Sequence, residues 1–361
     1  MIIFLGAGAS TPFGYPTMKG LQDELVQSAR TKENRMSSLL YSLLSHYPKN
    51  DPETVLQDLT LFETMSKRSG WMFEESSASV SERSGGTVLF SFREFIKFCR
   101  SLREIIEDSI FETYRRDRRK KLDLYGQLLK ILGVREHHIY TTNYDMIIED
   151  FCSVRHYDWR DGFAEDPDSG CWFWRPEESF SKPRKADATV LKLFKLHGSL
   201  GWKRRQNEII ERTSTEILVS RQPTLRHKED VLIYPGGKEL PEKEPFTWLY
   251  DQFENEMKET DRCLVIGFSF RDDYLNRVFR SFLRSGKGQL LVMSANCKDT
   301  VVAKNLLGLE NIDGLKRYVE SNSYVPIPCH IGEGDWLEML KNGLHFASQA
   351  TVDRRRLLGP A

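Results

Sequence analysis

Four short stretches of this sequence carry residue types that can approach a phosphate, move a proton or hold a water. The first is Gly6-Ala7-Gly8-Ala9-Ser10, which ends the apolar opening Met1 to Leu5. Glycines at a strand-to-helix turn let the backbone come close to a phosphate, and the helix that follows offers free N–H groups and a favourable dipole. The same glycines also suit a turn that is tight for geometry alone. No third glycine stands at the usual dinucleotide spacing, and no acidic residue ends a second strand about 20 residues on, so a hydride-transfer enzyme loses ground. The second stretch, Thr141-Thr142-Asn143-Tyr144-Asp145, follows an apolar run; its polar side chains suit a ligand site, while taken on their own Asn143 and Asp145 read first as helix caps. The third is Leu196-His197-Gly198-Ser199, where a histidine at a strand end can act as a general base near neutral pH, although a lone histidine is more often a satisfied structural one. The fourth runs from Gly267 to Asp273: Ser269 could bond a ribose hydroxyl, while Asp272 or Asp273 reads by default as a cap for the helix containing Tyr274, Leu275 and Val278.

Each stretch sits where an element boundary is expected. Short apolar runs at 139–142, 190–193, 231–234, 263–268 and 290–293 are mostly followed by turn residues and then a helical pattern. Strands alternating with helices predict an α/β fold, a Rossmann-like parallel sheet with helices on both faces. A helix is expected after Thr17, with Leu21, Leu25 and Val26 on its apolar face. Between 28 and 120 apolar residues recur at helical spacing, which predicts a helical insertion, with 66–87 as a loop. The division expected is residues 1–27 and 121–361 as the nucleotide-binding domain and 28–120 as the insertion. Segment 155–189, with Trp172-Phe173-Trp174, has no clear period and reads as a long loop over the sheet.

Bulk properties narrow the partners. Lysine plus arginine equals aspartate plus glutamate at 52 each, so no global field draws the chain to nucleic acid or an anionic membrane. Local basic runs at Arg115–Lys121 and Arg354–Arg356 read first as solvated faces or subunit contacts. Six cysteines are scattered with no C-x-x-C pair, which argues against a zinc ribbon and for reduced thiols. No stretch approaches the roughly 20 apolar residues of a membrane span, and the opening lacks a signal-peptide pattern. A cytoplasmic protein is expected.

The order and spacing of the four stretches, GAGAS at 6–10, TTNYD at 141–145, LHGS at 196–199 and GFSF at 267–270, resemble the sirtuin superfamily, in particular the SIR2-like branch of bacterial anti-phage defence proteins. The resemblance spans nearly the whole chain. It implies NAD⁺ as substrate, no metal, and a sirtuin-like fold; Asn143 and His197 become the expected catalytic residues. Gly6, Ala7, Gly8, Ala9 and Ser10 are then expected along the pyrophosphate, Thr142 and Asp145 within the site, Gly267 and Ser269 on the adenosine side, and Asn296, after the 290–295 run, near the adenine. Two departures matter. Between Ser199 and Tyr234 there is no cysteine, so the zinc module of protein deacylases is absent, and Gly14-Tyr15-Pro16-Thr17-Met18-Lys19 stands where they carry G-I-P-D-F-R. Family members lacking that module are typically NAD⁺ glycohydrolases or parts of defence complexes. The expectation is therefore an NAD⁺-depleting hydrolase, gated by homo-oligomerisation or by a HerA-type ATPase partner. The alternative is a non-catalytic NAD⁺ or ADP-ribose sensor.

Overall fold

The computed structural model describes residues 1–31, 77–81, 87–91, 93–97, 99–101, 123–133, 135–182, 188–205, 208–213, 229–232, 243–295, 297, 300–308 and 313–358. In chain order these form β1 (Ile2–Leu5), α1 (Met18–Thr31), β2 (Ser77–Ser81), β3 (Thr87–Ser91), α2 (Asp123–Leu132), β4 (Glu136–Thr141), α3 (Ile147–Arg155) and β5 (Asp158–Arg160). There follow β6 (Phe163–Glu165), β7 (Trp172–Trp174), α4 (Pro176–Ser181), β8 (Val190–Lys195), β9 (Gly198–Arg204), β10 (Ile210–Arg212), β11 (Glu229–Leu232) and α5 (Phe246–Glu259). The chain continues with β12 (Arg262–Ile266), α6 (Asp273–Ser285), β13 (Gln289–Met293), α7 (Thr300–Leu307), α8 (Asp313–Glu320), β14 (Tyr324–Ile327) and α9 (Trp336–Leu358).

Two compact units emerge. One comprises 1–14, 117–233 and 238–361, the other 15–116 with 234–237. The first is built on a seven-stranded sheet in the order β14-β13-β12-β1-β4-β8-β5, with every neighbouring pair parallel. This is the Rossmann-like α/β sheet expected from the alternation of apolar runs and helical patterns. All four residues of β1 are buried, because both faces of a parallel sheet are covered and alternation gives way to a continuous apolar run. On one face Phe4 packs against Phe253 of α5, Phe268, and Phe279 of α6 at ring separations of 5.5, 4.9 and 5.1 Å. Helix α9 packs against β13 and β14.

The second sheet of this unit is antiparallel, in the order β11-β9-β10-β7-β6. It changes two expectations. The 231–234 run belongs, as far as it is described, to β11 of this antiparallel sheet, not to the parallel one. Segment 155–189 holds β5, β6, β7 and α4 rather than one loop. Its strands are three residues each, too short for any period to register, and they are held by aromatic packing such as Trp174 on Trp202 at 5.9 Å. β14, Tyr-Val-Pro-Ile, was absent from the expected strands because proline interrupts its run; at the sheet edge a missing N–H is tolerated.

The second unit contains α1, where Leu25 is buried, and a hairpin of β2 with β3. The hairpin occupies part of the 66–87 stretch expected to be a loop; its serine-rich strand carries no apolar signal. Most of the expected helical insertion, and the Arg115–Lys121 run, lie outside the described residues. No helix among the described residues is long and apolar enough to cross a membrane.

Candidate active site

The strand order reverses between β1 and β12: from β1 the sheet grows through β4 and β8 to one side, and from β12 through β13 and β14 to the other. In an open parallel sheet ligands bind beyond the carboxyl ends of the strands at such a switch point. The four motifs gather at that end. Leu5 is level with Thr141 and with Ile266, and Thr141 with Lys195, so the Gly6, Thr142, Leu196 and Gly267 positions leave the sheet side by side.

The two glycine turns are packed backbone to backbone. Gly6 donates its N–H to Ile266 O and Gly8 to Gly267 O, both at 2.9 Å. A Cβ on Gly6 would fall 2.5 Å from Phe268 Cα. Gly267 has φ +64, and a Cβ there would lie 2.3 Å from Ala9 N, so this position needs glycine for conformation and for space alike. The N–H groups of Ala9 and Ser10 are committed to Gly6 O and Ala7 O. The turn continues into short 3₁₀ turns at Ala7–Ala9 and Thr11–Phe13, and α1 begins only at Met18. The expected picture of a helix presenting free donors at the glycines is therefore replaced: the turn offers close approach, not an open row of N–H groups. Ala7 is half-buried and Ala9 fully buried.

Beneath this turn lies a buried polar chain. Ser10 Oγ donates to Asp145 Oδ2 at 2.7 Å, and Asn143 Nδ2 donates to Ser10 Oγ at 2.9 Å and to Gly6 O at 3.0 Å. A carbonyl can only accept, so the Gly6 bond fixes which end of the Asn143 amide carries the nitrogen. Its oxygen is left without a partner among the described residues. Thr141 Oγ1 receives the Asn143 N–H at 3.0 Å and donates to Leu5 O at 3.0 Å, and half-buried Thr142 donates its N–H to Leu5 O at 3.2 Å. Asp145 also accepts the Ile147 N–H at 3.1 Å, so the cap reading and the site reading are both realised by one carboxylate. Burial pushes the Asp145 carboxyl above the ordinary aspartate range, against the pull of Lys195.

Lys195 was not singled out from the sequence. It is 1% exposed, and its ammonium donates to Asp145 O, to Glu149 Oε1 at 2.8 Å and to Ser199 Oγ at 2.9 Å. It thereby ties the TTNYD turn, helix α3 and the HGS turn into one unit. The available signal was a lysine inside the apolar run Val-Leu-Lys-Leu-Phe-Lys.

His197 lies in the turn between β8 and β9. Gly198 follows at φ +84, with Val231 O only 1.9 Å from where a Cβ would stand, which seats this turn on β11 and admits no larger residue. His197 Nε2 is 3.2 Å from Asp272 Oδ2, and Asp272 Oδ1 accepts the Leu275 N–H at 2.9 Å. The aspartate is thus both the cap of α6 expected from the sequence and the partner of the histidine, which one sequence position alone could not reveal. Burial works to raise the Asp272 pKa, but the His197 bond, then the Leu275 and Tyr274 N–H groups, hold it below the ordinary range. Only 2% of His197 is exposed. Ser269 is exposed, and its carbonyl accepts from Asn305 Nδ2 at 3.1 Å. Asn276 Nδ2 donates to Phe270 O at 2.8 Å and Asn305 O at 3.1 Å, so two asparagines pin the 267–272 loop. Asn296 lies outside the described residues. Among those described, no three of His, Cys, Asp and Glu gather as a metal-binding group.

The arrangement joins a carboxylate-paired imidazole, an oriented amide with a free acceptor and two closely approaching glycine turns at one sheet end. No curated protein matches the sequence. Solved Sir2 structures are similar at low identity. A mutant Sir2 homologue with 2′-O-acetyl ADP ribose is 14% identical over 97% of this chain and 92% of that one, at TM-score 0.40. A Sir2 homologue with NAD is 12% identical over 97% and 89%, at TM-score 0.35. The family model described as SIR2-like domain matches residues 137–312, a span that includes Asn143, Asp145, Lys195, His197 and Asp272.

Proposed function

We propose that this chain binds NAD⁺ and hydrolyses its nicotinamide–ribose bond. The observation that carries the proposal is the His197–Asp272 pair at the same sheet end as Asn143, which bonds the Gly6 turn at the switch point. With Nε2–H donated to Asp272, the imidazole of His197 in its neutral form keeps a lone pair on Nδ1 and can serve as the base. Cleavage passes through an oxocarbenium-like state: the C–N bond breaks, nicotinamide leaves with the bonding pair, and a water oxygen bonds to the ribose carbon while His197 takes its proton. The Asn143 oxygen accepts a hydrogen bond from that water or from a ribose hydroxyl. Gly6, Ala7, Gly8 and Ala9 line the pyrophosphate, with Thr142 beside them and Gly267, Ser269 and Asn296 toward the adenosine. Ser10 and Asp145, whose polar atoms bond one another, hold Asn143 in place.

A silent resting form is part of the proposal, in keeping with a His197 that is only 2% exposed. This fits an anti-phage effector that depletes cytoplasmic NAD⁺ once released by self-assembly or by a HerA-type ATPase. The 28–120 stretch, read as a helical insertion, and the domain of residues 1–27 and 121–361 would divide these roles. Asn143→Ala is expected to abolish release of nicotinamide, measured by chromatography, with the melting temperature within a few degrees of wild type. Full activity in that variant would remove Asn143 from the site.

A further inference from the structure

A groove of about 470 Å³ lies away from the strand ends, lined by Arg277, Arg280, Ser281 and Arg284 of α6 and by Leu307 at the end of α7. The helical repeat places residues 277, 280, 281 and 284 on one face. None of the three guanidiniums has a carboxylate partner among the described residues. Several arginines of the same unit are paired: Arg155 with Asp123, Arg160 with Asp158, Arg204 with Glu208, Arg205 with Glu211 and Arg212 with Asp161. Like charges at these spacings oppose helix formation unless something neutralises them. Two of the three side chains are also held in place: Arg280 is half-buried and donates to Leu306 O at 3.3 Å, and Arg277 lies 5.1 Å from the Tyr274 ring centroid.

We infer that this groove is a binding site for a small polyphosphate, either free or carried by a nucleoside. Guanidiniums present forked donors that match phosphate oxygens. At about 1.5 Å rise per residue the three arginines span about 10 Å of helix, enough for two or three linked phosphates, and Ser281 adds a hydroxyl. The volume is that of a small-molecule site. A nucleic-acid strand is disfavoured, because single-strand sites interleave basic groups with stacking aromatics, and none lines this groove. Binding here does not depend on whether the chain cleaves NAD⁺.

The test is calorimetry with inorganic triphosphate, ATP and a single-stranded oligonucleotide, on wild type and on the variant Arg277→Gln/Arg280→Gln/Arg284→Gln. The expected result is triphosphate binding that weakens at least about tenfold in the variant while its melting temperature holds. ATP binding tighter than triphosphate, with the same loss, identifies a nucleotide; equal affinities identify free polyphosphate. Absence of triphosphate binding to wild type, undiminished binding in the folded variant, or binding of the oligonucleotide alone would overturn the site.

Discussion

Replacing Lys195 by methionine is expected to destabilise the protein by about 3–5 kcal/mol, because removal of one partner strands the other charges in the interior. That is a large share of the 5–15 kcal/mol that typically separates folded from unfolded chains. The ammonium is buried against Glu149, Asp145 O and Ser199, and no solvent can replace it there. The sign of the pH dependence follows from Asp145, whose pKa is already raised by burial despite the pull of Lys195. A carboxyl with a raised folded pKa stabilises the fold fully below its unfolded value, near pH 4, and loses that contribution as pH rises through the folded value. Without Lys195 the folded pKa climbs further, so the deficit should be largest at neutral pH and shrink on acidification. Urea unfolding of both proteins at pH 7 and pH 5 measures it; an equal deficit at both pH values would mean that Asp145 does not feel the lysine. Adding Glu149→Gln to the variant should restore part of the loss.

The second large effect is on chemistry. Asp272→Asn keeps an oxygen for the Leu275 N–H, since asparagine caps helices as well as aspartate, but removes the charge beside His197. Turned so that its oxygen holds the cap, the new amide presents its nitrogen to Nε2, which forces the imidazole proton to Nδ1 and removes the lone pair the base needs. Hydrolysis is expected to fall at least tenfold, about 1.4 kcal/mol, with an altered pH–rate profile and stability within about 1 kcal/mol of wild type. Asp272→Ala should lose both the activity and the cap. An Asp272→Asn protein with unchanged kcat and pH profile would show that the aspartate serves the helix alone.

The parts of the site legible in the sequence are those with a local pattern: a strand end followed by glycines, a TTNYD turn, a histidine before glycine. Asp272 was legible only as a cap, and Asp145 as a cap or a site residue without its partner, because a cap needs just the next three residues, whereas their second bonds reach Ser10, 135 residues away, and His197, 75 away. Lys195 was hidden for the same reason: its partners come from β9 and α3. The parallel sheet followed from long apolar runs, while the antiparallel sheet escaped because its strands are short and aromatic and draw their register from packing.

The most direct test of the central claim is to incubate the purified chain with NAD⁺, alone and beside His197→Ala, and separate the products. Nicotinamide and ADP-ribose are expected in equal amounts from wild type at concentrations where it self-assembles, with the rate lower by about 10²–10⁴-fold in the variant. Equal rates from both proteins, or NAD⁺ bound by wild type in calorimetry yet left intact under every condition that exposes His197, would contradict it.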